Sequence, residues 1–339
     1  MGALAVAGLA ILGLAVAGAA YQSAGLARDL RRFPPPGRLV GVGDHRLHAV
    51  CQGHGAPTVV LESAIAASSV SWARVQSAIA DFTGVCAYDR AGLAWSEAAP
   101  PGFSRIVDDL DALLTKLDGA TPYVMVGHSF GVFVCLAYTM RHPERVAGLV
   151  LVDPPSEWMH LDRRRSRMVQ GAVWLSQVGG LLARLGVVRA CLALLTGGAP
   201  AAPRYFVKVF GPTTAGTIER LVGEIRKLPP ESHPVVQALW CQPKCFRAMA
   251  DHLRVLPEAT ASAAAIASLG DLPVIVISSG DQTPDVTTAH HELARLSSRG
   301  RVVVASKSGH WVPYDEPELI VDAVREIVED FRQPPRRVN

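Results

Sequence analysis

The sequence is short of charge: Asp, Glu, Lys and Arg make up 19% of its 339 residues, and the net charge is only +3. About half the residues are apolar, which permits a large buried core and excludes a wholly disordered chain. No basic, aromatic-interleaved patch occurs, so nothing points to nucleic acid as a partner. Cysteine is scarce too. The six residues, Cys51, Cys86, Cys135, Cys191, Cys241 and Cys245, are too scattered for a disulfide scaffold. Cys86 and Cys135 lie in apolar runs and read as small core residues. Cys241 and Cys245 are close together, with His233 and His252 near in sequence, but the spacings of a zinc site are missing. No internal repeat is visible.

Charge is absent altogether from Met1 to Ala27, and Ala3–Ala20 holds only Ala, Gly, Leu, Val and Ile. That stretch just reaches the length of a membrane-crossing helix. Ala17-Gly18-Ala19-Ala20 resembles a signal cleavage site, yet no Lys or Arg precedes the apolar run. Arg28, Arg31, Arg32 and Arg38 follow it, opposed only by Asp29. The positive-inside rule therefore favours an uncleaved anchor with the downstream domain on the cytoplasmic side, export being the alternative. Pro34-Pro35-Pro36-Gly37 forms a stiff spacer.

Beyond the spacer, Arg38–Gly53 alternates around Gly43-Asp44 and predicts an opening hairpin. Thr58–Leu61, Val85–Tyr88, Tyr123–Val126, Val146–Val152, Val274–Ser278 and Arg301–Ala305 are short apolar strands. Ser71–Phe82, Ser104–Leu117, Phe130–Arg141, Thr287–Leu296 and Glu318–Phe331 carry helical spacing. Strands alternating with helices indicate an α/β fold with a mostly parallel sheet covered on both faces. Between Pro154 and Asp271 only helical stretches appear, too long an excursion for a loop. The expected division is therefore an apolar segment 1–27, a spacer 28–37, a core of 38–153 and 271–335, and a helical cap 154–270. Trp158, Trp174, Leu175, Leu181, Leu182, Leu185, Leu192 and Leu195 are expected mostly to form the cap's own core.

The chemistry concentrates where the strand at Tyr123 runs into Gly127-His128-Ser129-Phe130-Gly131 and then into a helical pattern. This is G-x-S-x-G in its strand–turn–helix setting: small neighbours let the backbone fold sharply and lift the Ser129 hydroxyl above the sheet. The helix that follows aims its amides and positive dipole end at any oxyanion forming there. His310, between the last strand and the last helix, is the expected base. The others read more plainly: His45 and His48 in the hairpin, His142 at a helix end, His290 and His291 on a helix surface. His128 is held in the turn beside the serine. Two carboxylates compete to orient His310. Asp281 after the strand Val274–Ser278 is preferred, Asp153 after Val146–Val152 is the rival, and Asp285 ranks third. The amides of Phe130 and Ile65 are the expected oxyanion donors, with Ala64 adjacent to the second.

With these residues in place, the chain resembles the α/β-hydrolase superfamily from about Pro34 onward, and within it the bacterial group with an N-terminal apolar segment. The resemblance is carried by Val60-Leu61-Glu62-Ser63, Cys86-Ala87-Tyr88-Asp89-Arg90-Ala91-Gly92, Gly127–Gly131, Leu149–Asp153 and Ser308-Gly309-His310-Trp311. It implies a cap over Ser129 that shapes a pocket for a small-molecule substrate, and no cofactor. A serine at the turn also sets the chain apart from epoxide hydrolases and haloalkane dehalogenases, which use aspartate there. Two features depart from the pattern. Ala64-Ile65-Ala66 stands where glycines are usual, and the interval from Pro273 to Asp281 is one residue short. Asp89 and Arg90 are expected to form a buried, structural ion pair.

Overall fold

The apolar strands assemble into one eight-stranded sheet in the computed structural model, which describes residues 2–117, 121–155, 163–196 and 227–333. The strands are β1 (Arg38–Gly41), β2 (Arg46–Gln52), β3 (Thr58–Glu62), β4 (Val85–Tyr88), β5 (Tyr123–His128), β6 (Val146–Val152), β7 (Val274–Ser279) and β8 (Gly300–Ala305). They lie in the order β1-β2-β4-β3-β5-β6-β7-β8. The hairpin β1–β2 is antiparallel and pairs antiparallel with β4, while every other pairing is parallel. Each residue of β3, β4, β5 and β7 is buried, as continuous apolar strands between two helical layers require.

The chain opens with helix α1 (Gly2–Arg32); α2 (Ala73–Ala80), α3 (Phe103–Lys116) and α4 (Phe130–Arg141) follow among the early strands. Between β6 and β7 the described residues form α5 (Arg163–Arg184), α6 (Val187–Thr196), α7 (His233–Trp240), α8 (Pro243–Arg254) and α9 (Leu256–Ala264). Last come α10 (Pro284–Ala294), the short α11 (Val312–Asp315) and α12 (Pro317–Arg332). One core joins α3, α4, α9 and α10 to the sheet through Leu110, Phe133, Ala259 and Leu293. The other seats α2 and α12 on the opposite face through Val75, Ile79, Val324 and Ile327.

Three features differ from what the sequence suggested. First, α1 does not stop at Ala27 but runs to Arg32, and its second half is docked on the cap. Gln22 and Asp29 are buried there; Gln22 Nε2 donates to the Cys241 carbonyl at 2.8 Å, and Arg189 donates to Gln22 Oε1 (3.0 Å) and Asp29 Oδ2 (2.6 Å). Second, Cys86 is not a free core thiol. It forms a disulfide with Cys51, its direct partner across β2 and β4. Closing a loop 35 residues long stabilises the fold by about 3–4 kcal/mol on the loop-entropy argument. Third, of the apolar residues assigned to the cap core, Leu192 is buried but Trp174, Leu175 and Leu181 are exposed. Trp158 and the Leu195 side chain lie outside the described residues.

Candidate active site

Ser129 links the end of β5 to the start of α4 with φ +53° and ψ −118°, a left-handed backbone uncommon for a residue with a Cβ. Its amide donates to the Val152 carbonyl at 2.9 Å, which ties the turn to β6. The flanking glycines are steric requirements. A Cβ on Gly131 would lie 2.4 Å from the Glu62 carbonyl oxygen, and one on Gly127 would lie 2.7 Å from that of Gly131. Ser129 and His310 border one open cavity of about 310 Å³, together with Asp153, Pro154, Pro155, Gln282 and Val286.

Of the two competing carboxylates, the structure brings Asp153 to His310, with Nδ1 and Oδ2 2.6 Å apart. Asp153 is buried at the end of β6 with φ +43°, while the histidine side chain is 44% exposed toward the cavity. The other carboxylate oxygen, Oδ1, accepts from the Ser279 amide (3.0 Å) and from Gln282 Nε2 (2.8 Å). Burial pushes the Asp153 carboxyl up, but the His310 contact and these two donors outweigh it and hold it below the usual range. Asp281 instead accepts from the Ser279 hydroxyl at 3.0 Å, and Asp285 sits exposed in the first turn of α10. Sequence reasoning did not single out Gln282 or Ser279. Their only signal was position, since Ser279 ends β7, Gln282 follows it, and both face the end of β6.

Two neutral histidines brace the pair. His128 Nε2 donates to the His310 carbonyl at 2.7 Å, holding the loop that carries His310. His290 is buried rather than on the helix surface, because α10 turns it inward. Its Nε2 donates to the Pro154 carbonyl (2.9 Å), and its Nδ1 accepts from the Ser278 hydroxyl (2.8 Å). Burial lowers both, His128 to about 3, and His252 on the cap helix α8 is lowered too. Each is neutral in the folded chain and takes up a proton near 6.5 once unfolded, so the unfolded state binds more protons below that pH. Stability should therefore fall as the pH drops below about 6.5, down toward 3 for His128. Loss of the low Asp153 pKa acts in the same direction at the acid end. Thermal midpoints across this range check it; a flat profile would contradict the neutral, buried assignment.

The turn after β3 is held by an ion pair that was not anticipated. Arg90 does not pair with Asp89. It donates to the buried Glu62 carboxylate and, at 2.6 Å each, to the carbonyls of Ser63 and Ala64. Tyr88 also donates its hydroxyl to Glu62. Asp89 turns the other way, to His48 Nδ1 (2.8 Å) and the Ser69 amide (2.7 Å). Ala64–Ala67 forms a tight turn closed by the Ala67 amide on the Ala64 carbonyl, with Ala66 at φ +58°. Ile65 is in this turn, and Phe130 is the first residue of α4. His45 contacts Asp44 and Asp109, and His142 lies 3.7 Å from Asp111. Among the described residues no group of His, Cys, Asp and Glu is arranged to hold a metal ion.

The family described as alpha/beta hydrolase fold matches residues 57–178. The uncharacterised protein YqjL of Bacillus subtilis is 29% identical over 143 residues, which is 39% of this chain and 56% of that protein. The chain thus spans about half the length of that curated relative. Two solved structures share the fold over most of their length. The epoxide hydrolase CorEH gives a TM-score of 0.61 at 20% identity, covering 87% of this chain and 99% of its own. A thermophilic esterase from Thermogutta terrifontis gives 0.58 at 18% identity, covering 85% and 95%.

Proposed function

The chain has the α/β-hydrolase fold, and on that premise we propose that it is a serine hydrolase acting on an ester-type bond in a lipophilic small molecule. The observation that carries this is the His310–Asp153 pair opening onto the same cavity as Ser129 on its strained turn. In this reading the Ser129 hydroxyl attacks the carbonyl carbon while His310 takes its proton at Nε2, and Asp153 stabilises the imidazolium through Nδ1–H. The Phe130 and Ile65 amides hold the oxyanion. The imidazolium then protonates the departing alcohol, leaving an acyl group on Ser129. Water, deprotonated by His310, attacks the acyl carbon; the bond to Ser129 Oγ breaks, the imidazolium returns its proton to that oxygen, and the acid leaves. An epoxide or haloalkane substrate is disfavoured because the turn carries serine.

The full chain should be labelled by a fluorophosphonate probe, and Ser129→Ala should abolish the labelling. Labelling that survives Ser129→Ala, or none in the wild type, would sink the reading. A series of p-nitrophenyl esters of graded chain length then identifies the acyl length preferred.

Helix α1 is long and apolar enough to cross a membrane, as an anchor or as a signal sequence. We infer that it is an anchor and that the catalytic domain faces an oxidising compartment. The Cys51–Cys86 bond supports this orientation over the cytoplasmic one favoured by the arginines, because cytosolic thiols are kept reduced. Alkylation under denaturing conditions, directly on cells expressing the chain, should modify Cys135, Cys191, Cys241 and Cys245 and spare Cys51 and Cys86 until a reductant is added. Modification of all six without reductant would place the domain in the cytoplasm.

A further inference from the structure

The cap carries an apolar stripe that faces solvent. On α5, Met168, Trp174, Leu175 and Leu181 are each more than half exposed, and so is Leu194 on α6. Met168 and Leu175 are about two turns apart and form one row, Trp174 and Leu181 form a second, and the two rows fall within an arc of about 140° of the helix surface. The opposite face of α5 is buried at Ser176 and Ala183, and at its edge a Cβ on Gly179 would come within 2.6 Å of the Phe246 ring of α8. Arginines bracket the stripe in sequence, Arg163, Arg164, Arg165 and Arg167 before it and Arg184 after it. Aromatic and aliphatic residues on one face with basic residues at the ends is the composition of a helix lying in a bilayer interface.

Helix α1 determines what this face meets. It touches the cap at the corner between α5 and α6, where a Cβ on Gly18 would lie 2.2 Å from the Leu185 carbonyl oxygen and one on Gly186 would lie 2.7 Å from that of Gly18. Beyond Gly18 the helix is committed to the cap through Gln22 and Asp29. Before it, Leu4, Leu9, Ile11, Leu14 and Val16 are all exposed. That free arm of roughly sixteen residues is about 24 Å long, against about 30 Å of hydrocarbon to be crossed. The arm falls about 6 Å short, so it can span only if its contact with the cap sits at or just inside the hydrocarbon boundary, and this draws the α5–α6 corner into the interface.

We propose that the exposed face of α5 and α6 is a membrane-docking surface. The stripe sits in the acyl boundary of the bilayer that α1 crosses, and the exposed Arg167 and Arg184 meet anionic headgroups. This inference rests on the anchor reading and is independent of the reaction assigned to Ser129. The catalytic domain is then held in a fixed attitude, cap toward the lipid, rather than swinging on a tether.

The test uses the full chain in vesicles of phosphatidylcholine and phosphatidylglycerol, with plain or brominated acyl chains. Bromine should quench the wild type by a larger fraction than Trp174→Phe, the difference being the emission of Trp174. Unchanged far-ultraviolet circular dichroism and thermal midpoint in Trp174→Phe verify that the variant is folded. Equal fractional quenching in the two proteins overturns the docking surface while leaving the anchor intact. Failure of the wild type to float with the vesicles overturns anchor and docking together. Shielding of Trp174 from acrylamide without bromine quenching, growing with protein concentration, would mean that copies of the chain cover the face and would overturn the lipid assignment.

Discussion

Asp153→Asn is expected to lower kcat/KM by about 10,000-fold while Asp281→Asn leaves it within a few-fold, the first figure being the size of the loss when a serine protease loses its triad aspartate. The contrast follows from where each carboxylate's lone pairs go. Asp153 Oδ2 accepts from His310 Nδ1, and Oδ1 is saturated by the Ser279 amide and Gln282. An asparagine that keeps the Oδ1 contacts must present its NH₂ to Nδ1. That selects the tautomer with the proton on Nε2, which cannot take one from Ser129. Asp281 accepts from the Ser279 hydroxyl and lies away from His310 Nδ1, which is taken by Asp153, so its amide loses little. The rates and the far-ultraviolet circular dichroism of both variants check this. Equal losses in the two would mean that His310 is not oriented by Asp153 during turnover.

This division between two aspartates also marks where the sequence ceased to be informative. Strands β4 and β6 and helix α4 are found with the bounds that their apolar runs suggested, because a run of buried residues is a local property. Asp153 and Asp281 each follow a strand, and β6 and β7 are neighbours in the sheet, so chain order leaves both beside the same histidine loop. Only backbone geometry separates them: the positive φ at Asp153 aims its carboxylate along the end of β7, toward His310. The disulfide was hidden for a related reason. Cys51 and Cys86 become partners only because the sheet order inserts β4 between β2 and β3. The exposure of Trp174 and Leu181 was hidden because a helical apolar pattern does not reveal which of its surroundings is protein and which is lipid or water.

Arg90→Met is the second substitution with a large expected effect, and it acts on stability and rate by separable routes. The guanidinium is buried against Glu62, whose carboxyl is raised by burial, with the Arg90 charge opposing that shift. Removing the arginine strands a buried carboxylate, at a cost of about 3–5 kcal/mol. It also releases the carbonyls of Ser63 and Ala64, which Arg90 ties down at 2.6 Å and which set the direction of the next amide, that of Ile65. Loss of one oriented oxyanion donor costs about 100-fold in kcat or more. In this account Arg90 is a positioning residue, so the two effects should come apart in a double variant. Adding Glu62→Gln removes the stranded charge and leaves a side chain that can still accept from Tyr88. Denaturant melts should then recover much of the lost stability, while kcat stays low and KM changes little because the turn remains unclamped. A double variant whose rate recovers in step with its stability would show that Arg90 supports the fold alone.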